Sequence, residues 1–410
     1  MVKFSVADNL DDALAPEISS YGVDEIFGKL SADVIGGGRS SFLIPSISKK
    51  RFAKRVAQVQ GEGIAYNYLL NAACGDNRGL TRGGQKKIRS LLDWVCSLGI
   101  RRVTVASAFL LRLIKENYPE ISVRISVFAG VDHVRKAKMW EEMGADCITL
   151  DSILVNREFA SLRSIRQGVK IDLQLLVNNS CLTSCALSPE HMNLLAHSSQ
   201  QGHHTKGFAP DYCFLYCSRK RLEEPVNYIR ADWIRPEDIG LYEKIGYDSF
   251  KITERSAPTH VMVARVKAYT KRKYEGNLLD LTQPYSYPKS SGGARAPRPS
   301  LLRQIITFAK PWKVNPARLL LFAKLASAQC MISPREGEPP VYVDNKKLDG
   351  FASRFESIGC KDLDCDDCRY CHEWADKTVT IDASYKKELL KLYAQVVKSV
   401  ESGALWRYGA

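Results

Sequence analysis

The strongest constraint on this chain is an alternation: through the first 255 residues, short apolar, β-branched runs are separated by longer amphipathic segments. The runs are Phe4 to Ala7, Val23 to Leu30, Ile64 to Leu70, Val103 to Ala106, Val123 to Phe128, Cys147 to Leu150, Asp172 to Val177 and Ser249 to Thr253. Runs of this length, each followed by a helical pattern, are the signature of βα units around a parallel sheet. Eight of them favour an α/β chain closed into a (β/α)8 TIM-barrel-like domain over an open doubly wound sheet. The 410 residues leave room for a smaller unit after the barrel.

A barrel gathers its chemistry at the C-terminal ends of its strands. Those ends carry Asn9, Lys29, Asn71, Ser107, Asp151, Asn178, Asn179, Glu254 and Arg255, a polar set that contrasts with the runs it terminates. From it we draw Lys29, Asn178, Asn179 and Arg255, with Arg39 nearby, as candidates for binding substrate. Asp151 and Glu254 are candidate acid or base groups. His191, which follows Ser188, Pro189 and Glu190, is a third, although packing or capping is its commoner role. Glu254 and Arg255 can equally form a local ion pair. The glycine run Gly36 to Gly38 lacks the spacing of a dinucleotide or P-loop motif and reads as a flexible loop.

Ile234 to Gly246, with proline and acids at its start and glycine at its end, reads as the helix before the eighth strand. Residues 1–281 are then the barrel, 282–300 a linker rich in Pro, Ser, Gly and Arg, and 301–410 a small α-rich, cysteine-rich extension. The extension opens with a basic stretch, Leu301 to Ala328, and closes with a helix near Tyr385 to Ser402. Its most apolar segment contains Arg318 and Lys324 and falls short of the roughly 18 apolar residues of a membrane span. With no charged leader and apolar core at Met1 to Asn9, a cytoplasmic protein is the consistent expectation. The net charge of +14 attracts RNA, a partner protein, acidic metabolites or an acidic membrane surface, or else reflects solvated helix faces.

Eight of the twelve cysteines fall in two clusters. Cys181 and Cys185 follow the seventh run directly, and Cys213 and Cys217 form a second C-x3-C pair. Reducing cytosol disfavours disulfides and leaves thiolates for soft metals. Neither pair has the tight knuckle spacing usual for structural zinc, so a [4Fe–4S] cluster is the first reading, with zinc or unligated thiols as alternatives. The second group, Cys360, Cys365, Cys368 and Cys371, contains a C-x2-C-x2-C run and suits a second iron–sulfur cluster or, with His372 beside it, zinc. Cys74, Cys96, Cys147 and Cys330 stand alone among apolar residues and read as small core side chains. Neither a His-Glu-x-x-His helix nor a Gly-x-Ser-x-Gly elbow is present.

Leu173 to Ser188, His191, the Cys213 and Cys217 pair, Trp233 to Asp238, Phe250 to Arg255 with Pro258 and Thr259, Ala268 with Tyr269, and Tyr274 to Asn277 together resemble the collagenase-like peptidase family, U32. The resemblance spans roughly residues 1 to 280. It implies a TIM-barrel-like fold, and its iron–sulfur members imply oxygen-independent hydroxylation of RNA or of quinone-type precursors, with prephenate, a carboxylate, as oxygen donor. In that reading Cys213 and Cys217 match the family's ligand pair, and Cys181 or Cys185 the ligand after the seventh strand. Leu173 and Leu175 stand where the peptidase signature has acidic and aromatic residues, and Asn178 and Asn179 replace its glycine step. The expectation is an iron–sulfur hydroxylase; the alternatives are a peptidase and a non-catalytic iron–sulfur or RNA-binding partner subunit.

Overall fold

The computed structural model describes residues 2–41, 44–206, 210–282, 313–328 and 338–407. Eight parallel strands close into a barrel in chain order: β1 Lys3–Ala7, β2 Val23–Gly28, β3 Ala65–Leu70, β4 Arg102–Val105, β5 Ser122–Ile125, β6 Cys147–Thr149, β7 Asp172–Leu176 and β8 Ser249–Ile252. β1 pairs with both β2 and β8, which seals the ring. Each expected run holds a strand, though two stop more than one residue early. Lys29 and Leu30 leave β2 for a loop, and Val127–Ala129 forms a 3-10 turn capped by the Ser126 hydroxyl.

Alternation along a strand sends successive side chains to opposite faces. Outward residues such as Tyr66 and Tyr68 pack edge-on against Phe52 of the helix Lys49–Gly61. The inward set carries an unusual polar belt. Ser5 and Asn67 donate to the enclosed Glu25, Thr104 donates to Asn67, and Gln174 bridges Ser5, Ser249 and Thr149. Arg124 closes on Glu25 as an ion pair. Burial raises the Glu25 pKa, but the Arg124 and Arg102 charges outweigh it and hold the carboxyl below its ordinary value. Lys251 shares this interior, 4.1 Å from the Phe27 ring centroid, and burial pushes its pKa down to about 7.

Beyond the barrel, the helix Pro316–Ala328 and the closing helix Ala383–Glu401 accompany a two-stranded antiparallel sheet of β9, Val341–Val343, and β10, Val379–Ile381. This sheet was not anticipated, because three-residue strands leave almost no periodicity to read. The expected linker 283–300 and the first part of the basic stretch, 301–312, lie outside the described residues. The single helix expected over 234–246 is two pieces, a 3-10 turn at Pro236–Asp238 and a short helix at Ile239–Glu243.

The extension packs on the barrel through an aromatic and cationic seam. The Arg157 guanidinium lies 4.6 Å from the Trp233 ring and 4.9 Å from Phe351, which in turn stacks on Tyr370. The buried Arg235 is held by Asp238 and donates to the Asn345 carbonyl at 2.8 Å. No helix of the described residues is long and apolar enough to cross a membrane.

Candidate functional site at the barrel mouth

The loops after β1, β2, β3, β6, β7 and β8 converge at one end of the barrel. After β2, the Lys29 ammonium is enclosed, 2.8 Å from Asp33 and within hydrogen-bonding distance of the Gly36 carbonyl. Burial lowers its pKa despite the Asp33 charge. The glycine run is packed tightly, against the expectation of a flexible loop. A Cβ at Gly36, where φ is +83°, would stand 2.6 Å from the Ala196 carbonyl, and one at Gly38 would meet the Phe128 ring at 2.8 Å. Only residues without a side chain let this strand of backbone lie across the mouth between Phe128 and the helix Ser188–Ser198.

After β8, Glu254 adopts φ 98°, a left-handed conformation that a non-glycine residue holds only where its surroundings fix it. Its carboxylate pairs with Arg39 and accepts the Ser256 hydroxyl and backbone N–H. Burial pushes its pKa up, yet the Arg39 charge and the Ser256 bonds hold it below the ordinary value. The local Glu254–Arg255 pair weighed from sequence does not form. Glu254 takes Arg39 instead, and Arg255 turns inward, 5% exposed, with Nη1 enclosed and unpartnered. Burial and the neighbouring Arg39 charge bring the Arg255 pKa down to about 10.

A second polar group forms across β6 and β7. Asp151 caps the helix Ser152–Val155, its Oδ1 accepting the Ile153 N–H at 3.1 Å. Burial pushes its pKa up to about 6, helped by the Asp232 and Asp132 charges. Asn178 is structural: its amide spans Thr253 and Leu281 and ties β7 to β8. Asn179 donates to Asp232 Oδ2 at 2.9 Å, and the Cys181 N–H donates to Asp232 Oδ1 at 2.9 Å. Asp232 is 3% exposed, and burial raises its pKa. Sequence reasoning missed this carboxylate because it lies in an irregular loop; its place directly before Trp233 was the available signal.

The first cysteine cluster lies beside this group. Cys213 and Cys217 are four apart in the helix Tyr212–Glu223, a spacing that puts both thiols on one face. Cys213 senses Cys185 and Cys217 electrostatically, and Cys217 senses Cys185 and feels the field of Cys181. Burial pushes the Cys213 pKa up to about 12 and raises Cys181 and Cys217 as well, so these thiols are protonated at neutral pH. His191 is half-buried, its Nε2 3.0 Å from Asp211 Oδ2, at the start of the same helix.

In the extension, Cys365 and Cys368 bound a one-turn helix, and Cys371 senses both, while Cys360 senses Cys371 and Cys365. Burial lifts Cys360 to about 11, and the Arg354 guanidinium donates to Cys368 Sγ at 3.4 Å. Thiol donors in both clusters suit a soft metal by their chemistry. As oriented, no three His, Cys, Asp or Glu side chains among the described residues stand where they can hold a metal ion. Of the isolated cysteines, Cys147 is buried as expected, whereas Cys74 and Cys96 are only partly covered and Cys330 lies outside the described residues.

The chain is 27% identical to an uncharacterized protease of Methanocaldococcus jannaschii over 349 residues, which is 85% of this chain and 87% of that protein. It is also similar to the solved structure of a U32 peptidase, with 22% identity and a TM-score of 0.46, over 61% of this chain and 92% of that one. A family profile described as peptidase family U32 matches residues 48–275, from the helix after β2 to the turn that precedes the extension. This chain therefore belongs to peptidase family U32.

Proposed function

We propose that the protein hydrolyses peptide bonds at the C-terminal mouth of the barrel, with Asp151 as general base. The family membership and the similarity to an archaeal protease support a peptidase over the other readings. The observation that carries the assignment is Asp151 itself. Its carboxyl stands at the end of β6, is poised to ionise at about 6, and has one oxygen held by Ile153 while Oδ2 remains available. A base titrating near neutrality combines a large ionised fraction with useful proton affinity. Asp151 takes a proton from water, the hydroxide equivalent adds to the substrate carbonyl, and the proton passes on to the departing amine. Burial raises the Cys213 thiol, which disfavours that residue as a nucleophile, since the attacking species is the thiolate. Incubating the protein with a denatured protein substrate and sequencing the new termini tests the assignment. New termini that appear equally with Asp151→Asn would remove Asp151 from the reaction, and none under any condition would remove the peptidase reading.

A second reading rests on one specific observation: Cys213, Cys217 and Cys185 lie within electrostatic reach of one another, and Cys181 within reach of Cys217. A [4Fe–4S] cluster held by these thiolates would supply electron transfer for the oxygen-independent hydroxylation expected from the sequence. The chain's contribution would be to hold the ligands: Asp232 fixes the Cys181 backbone, and the Arg221 guanidinium, beside Cys217 and Cys181, offsets thiolate charge. Iron, sulfide and zinc analysis of anaerobically purified protein separates the readings. Iron and sulfide lost on Cys213→Ala/Cys217→Ala would favour the cluster; their absence in wild type would set it aside.

A further inference from the structure

Three cations at or under the mouth each have a carboxylate partner. Lys29 is matched by Asp33, Arg39 by Glu254, and Arg55 by Asp8. Arg255 has no such match. Its side chain is enclosed among these pairs, and Nη1 has neither a hydrogen-bond partner nor contact with solvent. Asp8 is already committed to Arg55 and to the Tyr66 hydroxyl. An enclosed guanidinium nitrogen without an acceptor is disfavoured, which leaves this group open to an acceptor from outside the chain. Glu254 next to it holds a left-handed backbone, and Arg255 directly after it is buried.

The nearest carboxylates, Glu254 and Asp8, act on Arg255 through space but are bonded to other groups. A guanidinium presents paired donors that fit the two oxygens of a carboxylate. Across the same mouth, Asn71 Oδ1 is an enclosed acceptor with no donor, next to Gly37 and the Lys29 ammonium. A ligand that brings both a carboxylate and an N–H satisfies both unmet groups. A peptide does so.

We propose that Arg255 anchors a carboxylate of the substrate peptide, either its C-terminal α-carboxylate or an acidic side chain, at the centre of the barrel mouth. The peptide identity rests on the hydrolase reading above; binding of the carboxylate does not depend on turnover. Calorimetric titration of the full chain with N-acetyl-trialanine as the free acid and as the amide, and with N-acetyl-Ala-Glu-Ala amide, tests it. One of the two carboxylate-bearing peptides is expected to bind about tenfold more tightly than the neutral amide, and which one does so identifies the source of the carboxylate. Arg255→Gln is expected to abolish the difference and Arg255→Lys to retain part of it, with thermal melts confirming that both variants fold. Equal binding of all three peptides to wild type, or no measurable binding of either carboxylate peptide, overturns the proposal. That comparison needs no variant. A preference for the carboxylate with no cleavage would remove the hydrolase reading and leave the anchor intact.

Discussion

Arg55 and Asp8 form an enclosed ion pair under the mouth, Nη2 lying 3.0 Å from Oδ1, with the two side chains 1% and 0% exposed. It joins the first turn after β1 to the helix Lys49–Gly61, and the Tyr66 hydroxyl takes the second carboxylate oxygen at 2.8 Å. Removing one partner strands the other charge, whereas removing both leaves no charge behind. Asp8→Leu or Arg55→Met alone should therefore cost about 3–5 kcal/mol, and the double variant less than the sum of the two. Denaturant unfolding of the three variants checks this, and strictly additive losses would contradict it.

Asp151 gives the proposed reaction its pH dependence. Only the ionised carboxylate accepts a proton, so kcat/KM should rise with pH through about 6 and then level off. Asp151→Asn should lower kcat by a factor of about 10² or more and remove that limb. The stability effect has the opposite direction. Because the folded pKa is raised above the ordinary 3.8, stability falls as pH rises from near 4 through about 6. Asp151→Asn should flatten that fall in a thermal melt series.

Lys251 supplies a test of the barrel interior that is independent of catalysis. Burial lowers its pKa from the ordinary 10.5 to about 7, so between those values the unfolded chain binds more protons than the folded one. Stability should therefore rise with pH across that window. Lys251→Met removes the titration and should melt at a higher temperature than wild type at pH 6. A slope between pH 7 and 10 that is unchanged in Lys251→Met would show that another group is responsible.

Arg157 should act on the extension through its contacts with Trp233, Phe351 and Phe355. Arg157→Ala is expected to speed proteolytic cleavage within residues 338–407 severalfold and to leave cleavage within 2–282 unchanged. Cation–π contacts of this kind contribute about 1–2 kcal/mol when desolvated. Fragment mapping over a proteolysis time course distinguishes the two regions.

The barrel was legible because its strands are short apolar runs at regular spacing, and Asp151, Glu254 and Arg255 follow β6 and β8 as the runs implied. Their partners were not legible. That Glu254 would choose Arg39, far away in the sequence, over its neighbour Arg255 depends on a backbone dihedral that no residue pattern encodes. Asp232 escaped for a related reason, since loops position side chains by hydrogen bonds rather than by period. Lys251 was not singled out within the run Ser249 to Thr253, and its significance comes from the polar belt around it. The cysteine groupings were read from spacing alone, which suggested an irregular loop where Cys213 and Cys217 in fact share a helix.

Arg235 lies beneath the seam with its guanidinium shared between Asp238 on the barrel side and the Asn345 carbonyl of the extension, and Asn277 is bridged to Asp344 close by. The linear boundary near residue 282 is thus not a mechanical one. A fragment trimmed to the barrel would open an arginine socket and an aromatic floor to water together, and would tend to self-associate through that scar. Dissection of this protein should proceed by point substitution in the intact chain, because inactivity of a truncated form would report the exposed seam and say nothing about where the chemistry resides.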